Sequence, residues 1–126
     1  MKQRQKYDCG IVAVAVAAKK TYKEVKQQYG PMGRGGNAGM EIDEVVSLLQ
    51  QFDMDAKLVI PRKEYPLYRW LRRNKSGRHI VVYASPEDHI HASAVVDQKV
   101  FNPGDWRILE SPVSAYITVR DNSGKI

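Results

Sequence analysis

The hydrophobic pattern of this chain changes period near Gly77, and that change orders its layers. Before it, apolar residues recur at helical spacing, as in Ile42, Val45, Leu48, Leu49 and Phe52. From Arg78 onward they cluster in short strand-like runs, Ile80-Val-Val-Tyr83 and Ala92-Ser-Ala-Val-Val96. Helices first and an antiparallel sheet last define the α+β class.

Local signals fill in the outline. Asp8 is placed to cap a helix running from about Cys9 to Ala18, and Thr21 with Glu24 forms a capping box that starts a second. Gly30-Pro31 reads as its stop, and five glycines between Gly30 and Gly39 make the next segment a loop. That loop lacks the Gly-Lys-Ser/Thr ending of a phosphate loop. A flap beside a cleft or a plain connector both suit it. Ala56 to Ile60 reads as a short strand. Pro66 suits the first turn of a fourth helix, in which Leu67, Trp70 and Leu71 share a face. Asp97-Gln98 makes a hairpin turn with Val100-Phe101 returning, and Ser114 to Val119 is the final strand.

The length, 126 residues, suits a single domain spanning 1–126 with its own core. With 43% hydrophobic and 27% charged residues the balance is that of a globular chain. No apolar run approaches the roughly 18 residues of a membrane helix. The longest, Ile11 to Ala18, is too short and too poor in leucine for a secretory signal, and cleavage behind it would discard Cys9. A cytoplasmic location and no membrane contact are the expectation. The single cysteine excludes an internal disulfide and any zinc site built on a cysteine pair.

The net charge of +6 is uneven: Arg62, Lys63, Arg69, Arg72, Arg73, Lys75 and Arg78 face one acid, Glu64. Such a stretch is either a solvated helix face or a surface for an acidic partner or nucleic acid, centred on Arg62, Arg69, Arg72 and Arg73.

Cysteine chemistry runs through the thiolate, which the partial positive charge of a helix N-terminus favours. Cys9 stands just inside the first turn of the first helix, and Gly10 leaves room for a substrate backbone. A lone cysteine is more often a small core residue than a nucleophile, so the base decides. Of the three histidines, His91 begins a strand, and Asn102 follows eleven residues later across the hairpin turn, placed to orient an imidazole. His79 opens the preceding strand without such a partner, and His89 lies in the loop Ser85-Pro-Glu-Asp-His89. His89, His91 and Asp88 carry the ligand types of a metal site, but no further ligand cluster exists, so no metal and no cofactor is expected.

Gln3, Asp8-Cys9-Gly10 and the small-residue helix after them resemble the start of the papain-type peptidases that process double-glycine leader peptides of bacteriocins. The second half is similar to the same family and its phage-encoded relatives, through Gly77-Arg-His-Ile-Val-Val-Tyr83, His91-Ala-Ser-Ala-Val-Val96 and Val100-Phe-Asn-Pro103. The resemblance implies a minimal papain-like fold, with the nucleophile helix packed on the C-terminal sheet. It also implies a catalytic set of Cys9, His91, Asn102 and Gln3, the last supplying an oxyanion-hole side chain six residues before the nucleophile. Asn102 stands where that family carries Asp, although Asn is the orienting residue in papain itself. The 126 residues hold no transporter segment, so cleavage coupled to export is not implied.

The expected activity is that of a cysteine peptidase acting on a peptide or protein through an acyl-enzyme. The alternatives are an acyltransferase using the same triad, and an inert papain-fold adaptor that binds nucleic acid or an acidic protein through the basic segment.

Overall fold

The computed structural model of the chain describes residues 9–32, 42–84, 90–101 and 108–121. Three helices come first, α1 (Cys9–Ala18), α2 (Tyr22–Met32) and α3 (Ile42–Gln51). They are followed by β1 (Met54–Val59), β2 (Tyr65–Pro66), α4 (Leu67–Arg73), β3 (Arg78–Ala84), β4 (Ile90–Val96) and β5 (Lys99–Val100). A 3-10 turn at Ile108–Glu110 leads into β6 (Pro112–Asp121).

Local chemistry explains where the helices begin and end. α1 closes on Lys19 in the left-handed region, φ 59°, with the Lys20 N–H donating to the Ala15 carbonyl at 2.9 Å and the Lys19 N–H to Val16 at 3.3 Å. That is a Schellman closure, normally built on glycine. At the start of α2 the capping box is complete: the Thr21 N–H donates to Glu24 Oε1 at 2.9 Å, and the Glu24 N–H donates to Thr21 Oγ1 at 3.0 Å. These bonds hold the Glu24 carboxyl below the usual carboxylate range. Gly30-Pro31 does not stop α2 where expected; the helix runs through both to Met32. A proline one residue from the end forfeits only one intrahelical bond, so the stop acts late. Pro66 stands just before the first turn of α4, not within it.

The strands form one antiparallel sheet in the order β1-β6-β3-β4-β5, with β2 also on β6. The final strand is therefore central: Met54 lies opposite Asp121 on one side, and Ile80 opposite Ile117 on the other. The hairpin turn falls at Asp97 and Gln98 as expected, both at positive φ (47° and 74°), the geometry that suits the twist of paired strands. Gly77, at φ 94°, donates its N–H to Asp97 Oδ1 at 2.9 Å and fastens that turn to the start of β3.

Strand alternation divides the core in two. Ile80, Ala94, Ile117 and Val119 face α1, α2 and α3, and α1 is buried almost all round, as its Ala/Val composition allows. Val81, Tyr83, Val95 and Val113 face the other way, under Leu67 and Trp70 of α4. Each such fully buried apolar side chain contributes about 1.5–3 kcal/mol. Among the described residues, no helix is long and apolar enough to cross a membrane.

Candidate active site

Cys9 is the first residue of α1. The buried body of that helix keeps its peptide dipoles from being screened, so the field at its N-terminus acts on whatever stands there. The other end is pinned. Arg78, first residue of β3, donates Nη1 to the Ala17 carbonyl at 2.7 Å and bonds Asp121 through Nη2. The same bond holds the Asp121 carboxyl below its usual range. Arg78 thus fills one of the open carbonyls at the helix C-terminus, and its charge suits the dipole there.

The anchor sets direction. α1 packs on β3 and β4 with its last turn tied to the start of β3, so its first turn faces the end where β3 finishes and β4 begins. His91 is the second residue of β4, opposite Tyr83. Cys9 and His91 are brought to the same end of the sheet.

Alternation decides the face His91 takes. Ala92 and Ala94 pack toward α1, whereas His91 lies with Tyr83 on the α4 side, half-buried, its ring edge-on to the tyrosine with centroids 5.5 Å apart. The Tyr83 hydroxyl is hydrogen-bonded to Ser93 Oγ at 2.8 Å in the buried interior. Beside Tyr83 the register of β3 on β6 shifts: Val82 faces Ala115 and Tyr83 faces Val113, which leaves Ser114 as the bulged residue, its hydroxyl donating to the Val82 carbonyl at 3.3 Å. Bulges re-aim the side chains around them. Neither Tyr83 nor this bulge was singled out from the sequence. The signal for Tyr83 lay in parity, since a connection of known length between β3 and β4 specifies which residue faces His91.

His79 occupies a different setting. It is buried in a box of aromatic rings, edge-on to Trp70 with centroids 4.9 Å apart and 6.5 Å from Tyr116. Burial pushes its imidazole below the ordinary histidine pKa, and Arg120 adds to the shift. It is a core residue. Gln3, Asn102, His89 and the side chain of Cys9 lie outside the described residues, as does Asp8. What relates Cys9 to His91 is the end of the sheet they share, with α1 packed on one face and the His91 ring beside Tyr83 on the other.

The sequence matches no family model and no curated protein. Among solved structures, the chain is similar to the peptidase domain of Streptococcus ComA, a bifunctional ABC transporter involved in quorum sensing, with a TM-score of 0.67 at 13% identity. The match covers 96% of this chain and 96% of that domain. Among the described residues, four helices and one antiparallel sheet, arranged as in that domain, make this an α+β chain with the fold of a papain-like peptidase domain.

Proposed function

We propose that the chain is a cysteine peptidase in which Cys9 is the nucleophile and His91 the base. The observation that carries this reading is the position of Cys9 at the head of α1, at the sheet end where His91 enters β4, in a fold shared with a peptidase domain. The leader-peptidase motifs around Cys9 and His91 support it.

In this mechanism the His91 imidazole takes the Cys9 proton, and the thiolate adds to the substrate carbonyl carbon. The resulting oxyanion is held by the Gln3 side-chain amide and the Cys9 backbone N–H. His91 then returns its proton to the departing amine as the C–N bond breaks, leaving a thioester on Cys9. Water, deprotonated by His91, hydrolyses that thioester and frees the enzyme. Asn102 keeps the imidazole in the tautomer that accepts from sulfur.

The test is the pH dependence of iodoacetamide labelling, which reports one site because Cys9 is the only cysteine. A helix N-terminus and an adjacent imidazole both favour thiolate, so labelling is expected to inflect well below about 8.5, the unperturbed value. An inflection at that value would sink the reading.

A further inference from the structure

The fold sorts the seven cations between Arg62 and Arg78 into two groups. Arg78 is spent on the α1 terminus and Asp121. Arg62, Lys63, Arg69, Arg72, Arg73 and Lys75 are all exposed, and none forms an ion pair with another described residue. Glu64 is the one acid among them.

α4 presents a built surface. Leu67 and Trp70 point into the core, which turns Tyr68, Arg69, Arg72 and Arg73 outward. Tyr68 is 41% exposed, so one side of its ring is open to solvent on the face that carries the arginines. The Arg72 guanidinium lies over it, 5.9 Å from the ring centroid, and Arg73 lies over Tyr65 at 5.6 Å. Cations and rings therefore alternate across the surface. Helix-dipole compensation accounts for Arg72 and Arg73 near the C-terminus of α4, but it gives no role to an exposed tyrosine beneath one of them.

We infer that this face of α4 binds single-stranded nucleic acid, with Arg69 and Arg73 on phosphates and Tyr68 with Arg72 as a platform for a base. Rings interleaved with arginines are what a strand with unstacked bases recognises. An acidic polypeptide needs the cations and has no use for the ring. Base readout from a duplex needs an element that enters its groove, and α4 has seven residues with its inner side buried. The inference is independent of the chemistry at Cys9, so a Cys9→Ser protein is expected to bind unchanged.

Fluorescence anisotropy with a dye-labelled oligothymidylate tests it on the full chain. Affinity should fall with salt at a log–log slope of about −0.7 per phosphate contact. Arg69→Ala with Arg73→Ala should weaken binding at least tenfold and flatten that slope by roughly 1.4. Tyr68→Ala should weaken binding by roughly tenfold while leaving the slope unchanged, because stacking releases no counterions. All three positions are exposed, and circular dichroism checks that the variants fold. Absence of binding at low salt overturns the inference. So does a Tyr68→Ala protein that binds normally while polyglutamate competes as well as the oligonucleotide, which would mark a surface for acidic proteins. Tighter binding of duplex than of single strand overturns it too.

Discussion

The hydroxyls of Tyr83 and Ser93 meet at 2.8 Å across the β3–β4 pairing, and the ring that this bond holds still is the one against which His91 rests. A buried hydroxyl pair between neighbouring strands fixes a side-chain rotamer more firmly than packing alone. The position of His91 is thereby linked to a contact one pleat deeper in the sheet.

Tyr83→Phe keeps the ring and removes the bond. The variant is expected to lose about 1–2 kcal/mol of stability, because Ser93 Oγ forfeits a buried partner. Urea denaturation measures this. Adding Ser93→Ala should recover part of the loss, and a Tyr83→Phe protein as stable as the parent would mean the hydroxyl pair contributes nothing.

His79 gives the fold a pH dependence whose sign is fixed by burial. Its folded-state pKa lies below the ordinary value, so below about 6.5 the unfolded chain binds a proton that the folded chain refuses. Stability is full above that pH and falls as pH drops toward the folded-state pKa, by at most about 1.4 kcal/mol per pH unit for one proton. Urea midpoints at pH 7 and pH 5 read the effect. A His79→Phe protein, whatever its absolute stability, should show a smaller difference between the two.

The triad reading separates the histidines by activity. His91→Ala should abolish hydrolysis of an activated ester and slow alkylation of Cys9. His79→Ala should cost stability through its aromatic neighbours but leave activity per folded molecule largely intact. The reverse pattern would transfer the base to His79 and overturn the assignment.

Gln3→Ala distinguishes transition-state stabilisation from nucleophile activation. Hydrolysis passes through an oxyanion and alkylation does not, so hydrolysis should fall by roughly two orders of magnitude while labelling stays normal. Equal losses in both would point to a damaged fold.

Lys19 holds a left-handed conformation that a side chain disfavours by about 1 kcal/mol. Lys19→Gly is expected to raise the denaturation midpoint, since the closure needs only backbone groups at that position. An unchanged or lower midpoint would show that the lysine side chain contributes more than its backbone conformation costs.

The features read correctly from sequence were those written in neighbouring residues. The Thr21–Glu24 box, the extent of α1, the spacing of Val45, Leu48 and Leu49, and the turn at Asp97-Gln98 each depend on contacts a few residues apart. What sequence reasoning missed depends on distance along the chain. Arg78 read as one more cation in a basic run, and only the packing of α1 on β3 turns it into a helix clamp. Trp70 was expected in the core and is there, but the box it forms with His79 and Tyr116 joins three separate elements. For the candidate site, Cys9 at a helix start and His91 at a strand entry were legible. The face His91 takes was not, because it depends on the parity of strand pairing. Gln3 and Asn102 lie outside the described residues.

The central place of β6 has a consequence for how the chain is made. β1 is complete by Val59, yet its neighbour in the sheet is residues 116–121, so Met54 waits for a partner 67 positions later. On the ribosome, β1 and β3 emerge with the edges that will flank β6 still bare. β3, β4 and β5 can pair in sequence as they emerge, but β1 joins them only once β6 has been released between. Chains whose pairing is this non-local fold slowly and pass through states with open strand edges, the species most prone to aggregate. Conditions that slow synthesis give β1 and β3 more time in that state, so soluble yield in a cell should depend more on chaperone supply than on the stability of the finished fold.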